Sequence, residues 1–151
     1  MYNMTGWRVG FAVGNPEILA GLGRVKTNLD SGVFQAVQRA AIAALSGSQQ
    51  PVLDNCRVYQ ERRDLLVNAL REMGFDVTPP KATFYLWVPV PRGFTSQSFC
   101  VELLVKAGVV VTPGNGFGAA GEGYVRAAFT VGVDRIREAL DRIRKLGVRG
   151  S

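Results

Sequence analysis

Three features predict an α/β chain whose second half is a small α+β unit, a compact sheet with helices packed on one face. Residues 51–73 form one long two-faced segment. Beyond Gly74 the pattern switches from helical period to short apolar runs. Between two of those runs, 109–111 and 124–131, lies a glycine-rich loop over residues 113–123.

The first half reads as one strand and two helices. Residues 9–13, Val-Gly-Phe-Ala-Val, have the apolar run of a short buried strand. Asn15-Pro16-Glu17 is a helix start: a capping side chain, a proline in the first turn and an acid near the positive end. Ile18, Leu19, Leu22 and Val25 give that helix an apolar face, and residues 28–32 break it. A second helix over 33–45 would turn Val33, Phe34, Val37, Ala40, Ala41, Ala44 and Leu45 inward. One strand and two helices do not close a domain. These residues predict part of a larger layer, with unit boundaries near 46 and 74.

The long segment carries Val52, Cys56, Tyr59, Leu66, Leu70 and Met73 near helical period, with Leu53 and Val67 broadening the stripe. Gly74 ends it. After it, 75–78 reads as a short strand, Pro79-Pro80 as a rigid connector and 83–88 as a wholly apolar strand. Thr95 or Ser96 caps a helix whose core side is Phe99, Leu103, Leu104 and Ala107. A strand over 109–111, the glycine loop, a strand over 124–130 and a helix over 133–146 follow. That last helix would bury Val133, Ile136, Ala139, Leu140, Ile143 and Leu146. Residues 149–151 read as a tail.

Composition narrows the function. Hydrophobic residues are 47% of 151, which suits a packed core. The net charge of +6 is spread along helices as alternating pairs such as Asp134-Arg135 and Arg137-Glu138, a solvated face and not a nucleic-acid stripe. With no histidine and only two cysteines, Cys56 and Cys100, a zinc site is not expected and a Ser-His or Cys-His pair is excluded. Both cysteines read as reduced core thiols. No signal peptide and no membrane-spanning apolar run appear, so a cytoplasmic protein is expected, with no nucleic-acid or membrane partner.

Arg126 is the residue that points to chemistry. Strand side chains alternate, so Val125, Ala127 and Phe129 share one face and Arg126 takes the other. Four glycines (114, 116, 118, 121) precede Gly123 and let the backbone take positive φ or approach another group closely. A guanidinium matches a carboxylate with two parallel hydrogen bonds. From this stretch alone, an anion-binding arginine and a solvated or structurally paired one both stay open.

Residues 3–10, Asn-Met-Thr-Gly-Trp-Arg-Val-Gly, resemble the segment that follows the cofactor lysine in fold-type I aminotransferases, the aspartate-aminotransferase superfamily. Thr83-Phe84-Tyr85-Leu86-Trp87, Val110-Val111-Thr112-Pro113-Gly114, Phe117-Gly118 and residues 121–126 match later marks of that family in the right order. The segment 30–35 further resembles the subgroup that includes LL-diaminopimelate aminotransferases. The resemblance implies pyridoxal 5'-phosphate as cofactor, an amino acid and a 2-oxo acid as substrates, and a homodimer. It implies that Arg8 helps hold the cofactor phosphate and that Arg126 binds the substrate α-carboxylate. It also implies that residues 28–35 approach the neighbouring subunit's active site. The aromatics Phe84, Tyr85 and Trp87 are expected in the core.

By the same resemblance the Schiff-base lysine would stand immediately before Met1. Lys26, Lys81, Lys106 and Lys145 do not match its position, so no catalytic residue is assigned. The expectation is a C-terminal portion of an aminotransferase: residues 1–46 a remnant of the large cofactor-binding domain, 47–74 a connecting helix and 75–148 the small domain. Such a chain would be inactive alone. A stand-alone carboxylate-binding module and the partner chain of a split enzyme are the alternatives.

Overall fold

A computed structural model describes residues 2–150. The chain divides between Cys56 and Arg57 into two compact units.

The first unit holds a 3-10 turn (Thr5–Trp7), helix α1 (Pro16–Thr27), helix α2 (Gln35–Ser46) and the opening turns of α3 (Gln50–Glu72). Asn15 caps α1 as its sequence requires, its Oδ1 accepting from the backbone N–H of Glu17 at 2.8 Å. The expected strand over 9–13 is absent. Those residues form no helix and pair with no strand among the described residues, and Phe11 is 76% exposed. The apolar face of α1 is largely exposed at Ile18, Leu22 and Val25; on α2, Leu45 is exposed and Phe34 before it is 75% exposed, while Val33, Val37, Ala40, Ala41 and Ala44 are half-buried. None of the described residues of this unit is buried. The helical periodicity is present, but the faces it defines are covered only in part. Cys56 is exposed, so it is not a core thiol, whereas Cys100 is half-buried and packs against the core of the second unit.

The second unit contains the rest of α3, strand β1 (Tyr85–Pro89), helix α4 (Ser96–Glu102), strand β2 (Thr112–Pro113), strand β3 (Tyr124–Ala128) and helix α5 (Val133–Lys145). The sheet is antiparallel throughout, in the order β1-β3-β2. Leu86 and Val88 of β1 and Val125 of β3 point to the inner face. There they join Val67 and Leu70 of α3, Phe99 of α4, and Ile136 and Leu140 of α5 in one core. The helices thus cover one face of the sheet and leave the other open.

Several expected strands shrink or vanish. Residues 75–78 bury Phe75 and Val77 with the alternation of a strand but pair with none. Arg71 holds this segment by donating Nε and Nη2 to the Val77 carbonyl. β1 starts at Tyr85, after Thr83 adopts φ 72°, and it alternates between faces instead of being apolar on both. Only Thr112 and Pro113 pair where a strand over 109–111 was expected, because Val110 faces solvent. After α4 the helix widens into a π-turn (Leu103–Ala107), which rotates its face and leaves Leu104 exposed while Leu103 and Ala107 stay buried. The core face of α5 matches expectation, with Ile136, Leu140 and Ile143 buried.

Phe99→Ala is expected to lower the free energy of unfolding by about 3–5 kcal/mol, because Phe99 fills the centre of this core. Phe34→Ala should stay within about 0.5 kcal/mol, because its ring is exposed. Urea unfolding of the two variants measures both, and equal losses would mean that the first unit has a core of its own.

Candidate functional site

The open face of the sheet presents Tyr85, Trp87 and Arg126. Antiparallel register sets Trp87 opposite Arg126, and Thr112 opposite Arg126 on the other flank. Side chains directly opposite one another share a face, so β1 and β3 place aromatic rings beside the cation. The guanidinium carbon lies 4.0 Å from the centre of the Tyr85 ring and 4.2 Å from that of Phe117. Phe117 meets Trp87 edge-on at 5.6 Å, and Trp87 meets Tyr124 at 6.4 Å. Trp87 is 42% exposed and Tyr85 half-buried. These two aromatics were expected in the core. Alternation sends them to the open face, while Phe84 does pack against the core.

Arg126 itself is half-buried, and among the described residues nothing accepts a hydrogen bond from its guanidinium or forms an ion pair with it. Its five N–H donors are therefore left for water or an anion.

The glycine loop sets where β3 begins. Gly114 and Gly121 pass backbone to backbone. A Cβ added to Gly114 would lie 2.1 Å from the Gly121 carbonyl oxygen, and one added to Gly121 would lie 2.1 Å from that of Gly114. Gly118 and Gly123 instead supply left-handed backbone, at φ 119° and 85°. Two of the loop's glycines are thus needed for close approach and two for conformation.

Ser96, the first residue of α4, fastens this loop. It is 0% exposed, and its hydroxyl accepts from the backbone N–H groups of Gly123 (2.9 Å) and Tyr124 (3.2 Å) and donates to the Gly121 carbonyl (3.4 Å). Its own N–H donates to Glu122 Oε1 at 2.8 Å. The sequence marked Ser96 only as a possible cap. In the structure Thr95 is the cap, in a reciprocal capping box with Ser98, which frees Ser96 to hold the loop.

Arg8 belongs to the first unit. It follows the 3-10 turn with φ 52° and ψ 43°, is exposed, and its guanidinium has no hydrogen-bond or ion-pair partner among the described residues. Arg8 and Arg126 lie in different compact units. No group of three histidine, cysteine, aspartate or glutamate residues gathers as metal donors among the described residues. No helix there is long and apolar enough to cross a membrane.

A three-stranded antiparallel sheet backed by helices, with an arginine on its open face, makes the second unit a small α+β unit. The comparisons make the class specific. A family model for aminotransferase class I and II matches residues 1–143, and the chain belongs to that family. It is 57% identical over 145 residues to an LL-diaminopimelate aminotransferase from Syntrophobacter fumaroxidans, and 54% identical over 145 residues to one from Moorella thermoacetica. Each alignment spans 96% of this chain and 37% of the relative. Among solved structures, substrate-bound BacF from Bacillus subtilis superposes with TM-score 0.93 at 40% identity, covering 99% of this chain and 39% of that one. An aromatic aminotransferase from Pyrococcus horikoshii OT3 superposes with TM-score 0.89 at 33% identity, covering 95% and 39%. The chain thus spans under two fifths of the length of these relatives.

The family generally uses pyridoxal phosphate. The bare guanidinium of Arg8 fits a phosphate contact. No lysine here fits the role of holding the cofactor: Lys26 pairs with Asp30, Lys106 pairs with Glu102, and all four lysines are exposed. Of the residues present, Arg8 alone would offer the cofactor a contact, and that is not a complete site.

Glu122 gives the loop a pH dependence. The Ser96 backbone N–H, and secondarily the Gly123 backbone N–H, hold its carboxyl below the ordinary value of 4.5. A depressed carboxyl contributes stability above its unfolded pKa and loses it as pH falls through the folded pKa. The difference in melting temperature between the chain and Glu122→Gln should therefore be constant above about pH 6 and shrink as pH drops below 4.5. A difference that stays constant down to about pH 3 would remove Glu122 from the lock.

Proposed function

We propose that this chain is the C-terminal part of a pyridoxal-phosphate aminotransferase that moves an amino group between an amino acid and a 2-oxo acid, with Arg126 receiving the substrate carboxylate. The observation that carries the reading is the Arg126 guanidinium, held between two rings on an open sheet face and left without a partner among the described residues. Family membership and the names of the relatives support a substrate of the diaminopimelate type. In this reading Arg8 meets the cofactor phosphate, residues 1–46 belong to the large domain, 47–74 connect, and 75–148 are the small domain. The whole enzyme works as a cytoplasmic homodimer, which suits two free thiols.

A second reading has one observation in its favour. The exposed apolar residues of the first unit, Ile18, Leu22, Val25, Phe34, Ile42 and Leu45, call for a cover. A separate polypeptide that completes a split enzyme would supply it as well as a longer chain would.

Two outcomes are expected. The 151-residue chain, mixed with pyridoxal phosphate and a panel of amino acids, should show no amino transfer, because no lysine fits the cofactor. Turnover together with borohydride-trapped cofactor at one lysine would refute this. Succinate should bind weakly, at about millimolar Kd, since one arginine supplies most of the attraction. NMR titration of the chain and of Arg126→Leu measures it. Undiminished binding in the variant would take the carboxylate site away from Arg126.

A further inference from the structure

We propose that Tyr85 and Phe117 are positioning residues that hold Arg126 for edge-on pairing, so that it takes planar two-oxygen anions in preference to tetrahedral ones. The proposal rests on the reading of Arg126 as the carboxylate site. It adds how that site selects.

At 4.0 and 4.2 Å from guanidinium carbon to ring centre, both rings are at stacking distance from the cation. The two rings come from separate elements, Tyr85 from β1 and Phe117 from the glycine loop. Each also touches another ring. Phe84 lies 4.5 Å from the Tyr85 ring, and Trp87 meets the Phe117 ring edge-on. The partner of Tyr85 across the sheet is Ala128, whose small side chain leaves the tyrosine room to lean toward Arg126 two residues away.

Stacking uses the faces of a guanidinium and leaves the in-plane N–H groups as donors. A carboxylate lies in that plane and takes two parallel bonds. A sulfonate or phosphate also carries oxygen outside that plane, on a side that a stacked ring would cover. The same rings also fix the long arginine side chain before a ligand arrives, so less freedom is lost on binding.

The test is an NMR titration of the full 151-residue chain with succinate and with ethane-1,2-disulfonate, following the Arg126 Nε–Hε signal. In the parent chain that signal should be displaced by the ring currents, and succinate should bind more tightly by roughly threefold to tenfold, the range that a ring–cation contact supports. Phe117→Leu and Tyr85→Leu should lose the displacement and bring the preference close to one. Tyr85→Phe keeps the ring and should keep both. Phe117 is 51% exposed, so its replacement spares the core and decides the matter even where Tyr85→Leu fails to fold. An unchanged preference in Phe117→Leu, with binding abolished in Arg126→Leu, would overturn the clamp and leave the carboxylate site standing. Binding that survives Arg126→Leu would overturn both. A parent chain that does not prefer succinate would overturn the clamp alone.

Discussion

A single buried hydroxyl holds the candidate site in place. Ser96 uses its proton and both acceptor positions on the backbone of residues 121, 123 and 124. Leaving any of those buried groups unpaired would cost about 1–3 kcal/mol, so the first turn of α4 and the start of β3 move as one piece. The contact between Gly114 and Gly121 closes the same loop from the other side. Together they fix the residue at which β3 enters the sheet. Entry one residue earlier or later would send Arg126 into the core and Val125 out of it.

From that register the rest of the unit follows. Val125 and Phe129 are committed to the core, where they meet α3, α4 and α5. Arg126 is committed to the open face beside β1, where alternation also delivers Tyr85 and Trp87. The same pleat that buries Leu86 and Val88 therefore builds the ring cluster around the cation. Thr83 shows that this entry is constrained. A β-branched residue at φ 72° costs on the order of 1–3 kcal/mol, and here it immediately precedes the two aromatics Phe84 and Tyr85.

Much of this was legible in the sequence, for reasons that differ from element to element. The caps at Asn15 and Thr95, the face of α5 and the outward turn of Arg126 depend on local chemistry and short periods, which a sequence displays directly. The 9–13 and 75–78 segments were misread because strand formation needs a partner, and an apolar run does not say whether one is present. Ser96 was seen only as a possible cap because its partners lie 25 to 28 residues away in the chain. Tyr85 and Trp87 were assigned to the core because they are large and apolar. Only the register with β3 shows that they face a cation. Arg126 stood out from strand alternation after a glycine loop, and Arg8 only from the family resemblance, which proved right about the family. Their roles remain within the proposed function.

The two units differ in what they need from elsewhere. The second has a core of its own, and Arg126 on its open face is a cation that water solvates well. The first has helices with apolar residues at 18, 22 and 25, spaced to line one face, yet that face is bare. Fully burying such a side chain is worth roughly 1.5–3 kcal/mol, which these residues forgo when exposed. A helix that is amphipathic without a cover is patterned for a neighbour, and relatives more than twice as long have the chain to provide one. Arg126 therefore sits on the unit that has a buried core, and Arg8 on the unit whose described residues are not buried. On the proposed reading, an anion site at Arg126 needs only the second unit, whereas cofactor binding through Arg8 waits on whatever completes the first.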